Sequence, residues 1–376
     1  MSRLDELIKD HCPNGVNYVA LGEILDYEQP TKYLVSSTNY NSDYAVPVLT
    51  AGQTFILGYT DESNGIFPAS VEAPVIIFDD FTTAFKWVDF PFKAKSSAMK
   101  MIQPSDMSQV VFKFVYYAMR CIRFEPSEHA RHWISQYSQF RIPLPTLEVQ
   151  REIVRILDLF QELEVELEAE LEARKKQYEH YRDLFFSPTY AANSKLTTLG
   201  EIGAIFRGRR FVKDDIMESG TPAIHYGELY TKYSVSASKT FSFITPELAS
   251  KLRFAKTGDV ILVSAGETIE DIGKSVAWLG DEDVVIHDAL YGFRSAMNPK
   301  YVSYYFSSSH FRQQLRRHIT TSKVSAISPS RLARIQIPVP SIAIQEEVAR
   351  ILDHFEEMIT DLSTGLPAEL NARRKQ

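Results

Sequence analysis

Apolar side chains recur at spacings of three and four along two stretches. Ile153, Leu157, Phe160, Leu163, Leu167 and Leu171 form one stripe, with Glu, Arg and Asp between them. The period predicts an amphipathic helix from Ile153 to Phe185, about 50 Å long. Val348, Leu352, Phe355, Ile359, Leu362 and Leu366 form the second stripe. Pro143, Pro145, Pro338 and Pro340 are expected to stop the preceding strands and open these helices. Gly365 and Pro367 interrupt the second stripe, so a kink or break is expected there, with Pro367 in the first turn of a new helical piece and Ser363 or Thr364 near its start. Elsewhere the apolar runs are short. APVIIF, YAVPVLTAG, GDVILVSAG and DVVIH lie between Gly, Asp, Asn and Ser turns and predict strands of small, irregular sheets. VVFKFVYYAMRCI and VSYYFSSSHFRQQLRRHI predict helices.

The chain is written twice. IPLPTLEVQREIVRILDLF at 142–160 returns as IPVPSIAIQEEVARILDHF at 337–355, and LGEI occurs at 21–24 and 199–202. Each half runs from LGEI through a variable body to the Ile-Pro-x-Pro start of a helix. The bodies differ in length, 121 positions against 138 from one marker to the next. The implied division is 1–141, 142–187, 188–336 and 337–376: a globular body, a helix, a second body and a second helix.

Residues 162–173, ELEVELEAELEA, are three copies of one four-residue block. A four-residue step overshoots a helical turn by about 40°, so the leucines drift only about 80° over three blocks and remain one stripe. One reading is a solvated helix of good helix formers. The sharper reading is a length gauge, each block adding about 6 Å, nearly two base-pair steps. From Gln150 to Ala173 is 23 positions and from Gln345 to Ala372 is 27, a difference of one block. The two stripes are expected to pair antiparallel.

Hydrophobic residues at 44% and charged residues at 24% describe an ordinary globular chain of 376 residues, long enough for two domains. There is no apolar run of membrane-spanning length, and MSRLDELIKDHCPNG does not resemble a signal peptide. Cys12 and Cys121 are too few for a disulfide framework, and a cytoplasmic location is expected. The net charge of −7 argues against nucleic acid only until it is mapped. Residues 148–176 and 343–376 hold the entire excess, and the remainder carries 32 acidic and 32 basic groups. A local basic face is compatible with that balance.

Two variable bodies, each closed by an IPxPxxxxQxxIxxxLD-type helix, with a short tandem repeat in the central helix, resemble the DNA-specificity (S, HsdS-type) subunits of Type I restriction–modification systems. The resemblance covers essentially the whole chain. QPTKYLV, PVLTAGQTFILGYT, VIIFDDFTTAFKWV and KAKSSAMKM look like one type of target-recognition domain in that family. It implies an α+β fold: two α/β target-recognition domains with small irregular sheets, separated by two long antiparallel coiled-coil helices in a pseudo-two-fold internal repeat. It also implies the role. Each domain would read one half of a bipartite double-stranded DNA site, the first half GAA-like. The helices would set the unread gap and dock two methyltransferase (M) subunits through Gln150, Ile153, Leu157, Phe160, Gln345, Val348, Leu352 and Phe355. Two restriction/translocase (R) subunits complete the assembly. No cofactor is expected on this chain; S-adenosylmethionine, ATP and magnesium would serve the partners. The second helix copy ends at ARRKQ, where the first continues YEHYRDLFFSP, so a truncated second docking surface is expected.

Candidate contacts follow from residue type, each beside the plainer reading of a turn or solvated loop. In the first domain Thr50, Ala51, Gly52, Gln53 and Thr54 form a polar turn; Gln suits adenine, and Gly admits close backbone approach. Asp79, Asp80, Thr82, Thr83, Lys86 and Trp87 follow a strand end, with one Asp reading cytosine or ordering the loop and Lys86 on phosphate. Lys93, Lys95, Ser96 and Ser97 also suit phosphate. In the second domain Arg207, Arg209 and Arg210 around Gly208 suit guanine or phosphate. His225, Tyr226 and Gly227, and Ser264 to Glu267, end apolar runs and are candidates to face the groove. Thr321, Ser322 and Lys323 form a polar loop suited to phosphate.

GETIEDIGKS at 266–275 is not a phosphate-binding loop: six residues separate Gly266 from Gly273 where four are needed, and Thr268 occupies the place of a glycine. No methyltransferase or dinucleotide fingerprint is present, and His129, His132, His287 and His318 lack metal-ligand spacing. A coiled-coil scaffold with protein-binding ends is the alternative function.

Overall fold

The computed structural model describes residues 2–52, 54–126, 131–190, 194–320, 325–361 and 365–375. Contacts divide the chain into two units, Met1–Leu163 and Glu164–Gln376.

In the first unit, strand Asn17–Ala20 pairs antiparallel with Arg141–Leu144, and LGEI forms a single helical turn directly after it. A four-stranded antiparallel sheet follows in the order Leu25–Glu28, Met99–Pro104, Val75–Asp79, Phe85–Val88. A three-stranded sheet places Val46–Leu49 between Ile56–Thr60 and Lys93–Ala94. The period of two along Val75–Asp79 is used on both sides. Ile76 and Phe78 pack under helix Phe112–Arg120, while Val75 and Ile77 face the three-stranded sheet with Leu49, Phe92 and Met101.

The second unit repeats the frame. Strand Lys195–Thr198 pairs with Gln336–Val339, and LGEI again turns helical, capped by Thr198 and Glu201. A five-stranded sheet has the order Gly203–Arg207, Leu290–Ser295, Val260–Val263, Ser275–Trp278, Ser236–Ala237. A four-stranded sheet has the order Ser242–Ile244, Thr221–Ile224, Val284–Ile286, Phe254–Ala255. Helices Pro299–Ser307 and Ser309–Arg316 cover the core.

One helix, Leu147–Phe185, spans 39 residues, about 58 Å. It starts six residues before Ile153, because Leu147 and Val149 already contribute to the turn that buries Val149 and Gln150. Within the second unit its end runs antiparallel to helix Ile342–Thr360. Tyr181 stacks on Phe355 at 5.4 Å, and Phe185 shares a cavity with Ile344 and Val348. The first helix contributes aromatic side chains to these contacts; Leu163, Leu167 and Leu171 are only half-buried.

The closing helix stops at Thr360 and resumes as Leu366–Lys375, with Pro367 in the first turn. Gly365 is required at the break: a Cβ there would lie 2.8 Å from the carbonyl oxygens of Glu357, Met358 and Asp361. Leu362, Ser363 and Thr364 lie outside the described residues. The prolines correct one expectation. Pro143 and Pro338 lie inside their strands, opposite Tyr18 and Leu196, and only Pro145 and Pro340 follow them. Each ribbon has two strands, so a residue without an N–H fits at a position that donates nothing across the pair.

The repeat extends to side chains that pin each helix to its own unit. Gln150 is 1% exposed; its Oε1 accepts the Val111 N–H at 2.8 Å and its Nε2 donates to the Pro145 carbonyl at 2.8 Å. Gln345 does the same with the Asn298 N–H (2.9 Å) and the Pro340 carbonyl (2.8 Å). Lys113 and Tyr117 both meet Asp158; Lys300 and Tyr304 both meet Asp353. Beside Asp158 and Asp353 the two phenols are pushed well above the ordinary tyrosine range, first by burial and then by the carboxylates.

Candidate nucleic-acid interface

In the first unit three of the expected stretches meet. Thr50 closes its turn by donating to the Thr54 carbonyl (2.7 Å) and accepting the Gly52 N–H. The Lys95 N–H donates to Leu49, placing loop 95–98 beside that turn. The Asp80 N–H donates to Ala98, which brings hairpin 79–84 to the same loop. Asp79 Oδ1 accepts the Phe81 and Thr82 N–H groups and the Thr82 hydroxyl, and the tight turn puts Thr83 at φ 57°. Thr54, Thr82 and Ser97 are exposed. Thr50, Gly52 and Lys86 are half-buried, as is Lys95, whose ammonium lies over the Tyr40 ring at 5.6 Å.

Five expectations of a DNA contact fail here, one of them Thr83, which is only 8% exposed. Ala51, 1% exposed, belongs to the core, and Trp87 packs on Phe112 and Tyr116. Lys93 is buried: its ammonium pairs with Glu62 at 2.8 Å and donates to the Asn64 carbonyl at 2.6 Å. Asp80 is buried too. Its Oδ1 accepts the Trp133 N–H at 2.8 Å, and Oδ2 stands 3.2 Å from the buried ammonium of Lys100, which also caps the Tyr27 ring. Asp80 therefore braces the hairpin against residues 132–133, which fits the loop-ordering expectation and not the cytosine-reading one. Ser96 spends its hydroxyl on the Ala98 N–H. Gln53 lies outside the described residues.

In the second unit strand Gly203–Arg207 leads FRGRRF across two strand ends: the Gly208 N–H donates to Leu290 and the Arg209 N–H to Ile286. Gly208 is a close approach, since a Cβ would lie 2.2 Å from the His287 carbonyl oxygen, and this makes it a backbone requirement. Arg207 donates to the Asp288 carbonyl (2.7 Å) and Arg209 to the Lys251 carbonyl (2.7 Å); both remain exposed, as does Arg210. Buried Phe211 packs edge-on against His225 and His287. The His225 and His287 ring centroids are 4.7 Å apart, and Tyr226 lies 5.1 Å from His287.

Burial holds both imidazoles below the ordinary histidine range. Each Nδ1 accepts a backbone N–H, from Gly227 in one case and Ala289 in the other, which leaves Nε2 as the protonated nitrogen of the neutral ring. The Ser264 hydroxyl is consumed by the Ala289 carbonyl (2.8 Å) and the residue is 3% exposed, so its side chain does not face the groove. Beyond it a cavity of about 570 Å³ is lined by Tyr226, Gly227, Tyr230, Ala265, Gly266, Glu267, Asp271 and Ala289. Thr321, Ser322 and Lys323 lie outside the described residues. His287, Asp288 and Tyr230 are the residues that sequence reasoning missed.

The helix positions also need correction. Gln150, Gln345, Val348 and Leu352 are at most 3% exposed, because they fasten their helices to their own units. Ile153 packs against the first core, and Leu157, Phe160 and Phe355 are half-buried. The exposed apolar side chains on these helices are Leu159, Val165, Leu184, Ile342 and Ile344. No helix among the described residues is long and apolar enough to cross a membrane.

A chain built of two such faces, each carried on a repeated frame, belongs to a defined class of DNA-specificity proteins. The family model described as "Type I restriction modification DNA specificity domain" matches twice, at residues 13–174 and 192–372. The chain is 40% identical over 388 positions to the Type I restriction enzyme EcoR124I/EcoR124II specificity subunit of Escherichia coli, covering 96% of this chain and 92% of that one. It therefore belongs to the Type I restriction–modification DNA specificity family. Its fold is similar to the S subunit of a Type I system from M. genitalium (TM-score 0.54, 14% identity, 96% and 94% covered). A second similar fold was solved in a study of complex assembly and conformational transition of the type I R-M system (TM-score 0.61, 16% identity, 96% and 95% covered).

Proposed function

We propose that this chain is the non-catalytic reader of a Type I complex. Residues 1–141 and 188–336 each read one half of a bipartite duplex site, and residues 142–187 and 337–376 fix the interval between the halves. Thr50, Thr54, Thr82, Lys95 and Ser97 serve the first half-site, and Arg207, Arg209, Arg210, His225, Tyr226 and Glu267 the second. The cations position the phosphates, while hydroxyls, imidazoles and the carboxylate meet base edges. The observation that carries this reading is the duplicated Gln–Tyr–Lys–Asp lock beneath two unlike polar faces: one frame, two sensors.

Two M subunits using S-adenosylmethionine and two R subunits using ATP and magnesium supply the chemistry. They dock on the exposed apolar side chains of the helices, and the assembly works in the cytoplasm. Co-expression with a Type I methyltransferase followed by methylome sequencing tests the reading. The expected result is modified adenine at one bipartite motif with a constant gap. Modification without such a motif refutes it and favours a scaffold.

A further inference from the structure

We infer that Glu267 reads the exocyclic amino group of a base, cytosine N4 or adenine N6, in the major groove of the second half-site; this rests on the functional reading above.

The carboxylates around the second face are accounted for one by one. Asp271 accepts the Thr268 N–H at 3.2 Å and pairs with Lys274 at 3.4 Å. Asp288 lies 3.9 Å from the Arg207 guanidinium. Glu228 is buried and holds the His225 N–H, Ser242 and Lys232. Glu270 pairs with Arg316 at 3.7 Å. Glu267 lines the cavity, is exposed, and has neither a hydrogen-bond nor an ion-pair partner among the described residues.

Tyr226 and Tyr230 both line the cavity, and Tyr230 carries a buried hydroxyl that is also without a hydrogen-bond partner among the described residues. Gly266 lines the cavity at close quarters: a Cβ there would lie 2.9 Å from Asp271 Cβ and 3.1 Å from the Tyr230 hydroxyl oxygen.

A carboxylate without a partner is costly on a surface that meets phosphate, unless the duplex offers it a donor. A carboxylate only accepts hydrogen bonds. It is repelled by phosphates and gains nothing from guanine O6 and N7 or thymine O4, which are acceptors. The remaining major-groove partners are the amino groups of cytosine and adenine. The same charge that penalises random DNA makes Glu267 a discriminator rather than an anchor.

The test uses the full chain in complex with its methyltransferase, acting on a duplex library randomised across the second half-site. Wild type should show one position at which a single base pair in one orientation is preferred. E267Q, which keeps an accepting oxygen, should weaken that preference about tenfold, and E267A should abolish it, with other positions unchanged. E270Q serves as a control and should match wild type. A clear wild-type half-site that E267Q and E267A leave unchanged overturns the assignment, as does a uniform rise in binding to all sequences. A wild-type complex with no preferred second half-site overturns the functional reading and this assignment with it.

Discussion

Replacing Gln150 by Leu keeps the volume of the side chain and removes both of its hydrogen bonds. The Val111 N–H and the Pro145 carbonyl, each now held at 2.8 Å, would be stranded beside a side chain that is 1% exposed. A buried bond contributes about 1 kcal/mol net, and a stranded buried group costs about 1–3 kcal/mol. With two groups stranded and some relaxation, Q150L should destabilise the first unit by about 3 kcal/mol, and Q345L should do the same to the second. Q150E adds a sign. The carboxylate still accepts from Val111 but has no proton for Pro145, and burial raises its pKa above the unfolded value of about 4.3. Its penalty is therefore present at neutral pH and shrinks as pH falls through the folded pKa, when the acid can donate again. Denaturant unfolding combined with hydrogen exchange at Val111 and Asn298 reports each unit separately. A Q150L loss below about 0.5 kcal/mol would show that the shared glutamines are not what fixes the helices.

Other consequences follow from the same geometry. D80N leaves the buried Lys100 ammonium unpaired and should cost about 3–5 kcal/mol, with D80N/K100M recovering part; near-native denaturation midpoints for D80N alone would contradict the brace. Because His225 and His287 titrate below the unfolded value of about 6.5, the second unit binds fewer protons folded than unfolded in that window. Its stability should be complete above pH 6.5 and fall on acidification, and H225Q/H287Q should flatten a thermal-melt profile from pH 7.5 to 5. Removing one four-residue block from 162–173 should shorten the methylated motif's gap by one or two base pairs and leave both half-sites unchanged, as read by methylome sequencing. K95A and R210A should each weaken DNA binding evenly across sequences and lower the salt slope by about one, measured by titration at several ionic strengths.

The frame was legible because both of its halves are spelled in the chain. Gln150 and Gln345, or Asp158 and Asp353, stand at equal distances within matching helices, and a period of three and four is local information. The faces were legible only as turns. Lys93, Asp80 and Ser264 have the composition of surface polar residues, yet Glu62, Lys100 and Ala289 neutralise or satisfy them from 20 to 31 positions away. No short-range pattern reports such pairings. His287 ended an apolar run followed by Asp288, the same signal that drew attention to His225, but its weight came from Phe211 and Tyr226 closing around it. The apolar stripe misled in a different way. Periodicity shows that Val348 and Leu352 are covered and says nothing of by what; the cover is the chain's own core.

This division has a consequence for how specificity can change. Gln150, Tyr117 and Asp158 are satisfied by groups at 111, 113 and 145, none of which lies in a reading turn, so Thr50–Thr54 can change without disturbing the helix root. Hairpin 79–84 has no such independence. Through Asp80 it is tied to Lys100 on one strand, Ala98 in the next loop and Trp133 beyond the domain helix. An exchange of the hairpin that loses the Asp80 carboxylate would leave an ammonium and the Trp133 N–H without partners, a cost comparable to much of a domain's net stability. On the proposed reading, recognition can therefore be revised at Thr50 and Thr54 without touching the helix root. At the hairpin it must change together with the strand, loop and segment braced to it, which favours exchange of whole domains between the repeated frames over stepwise substitution.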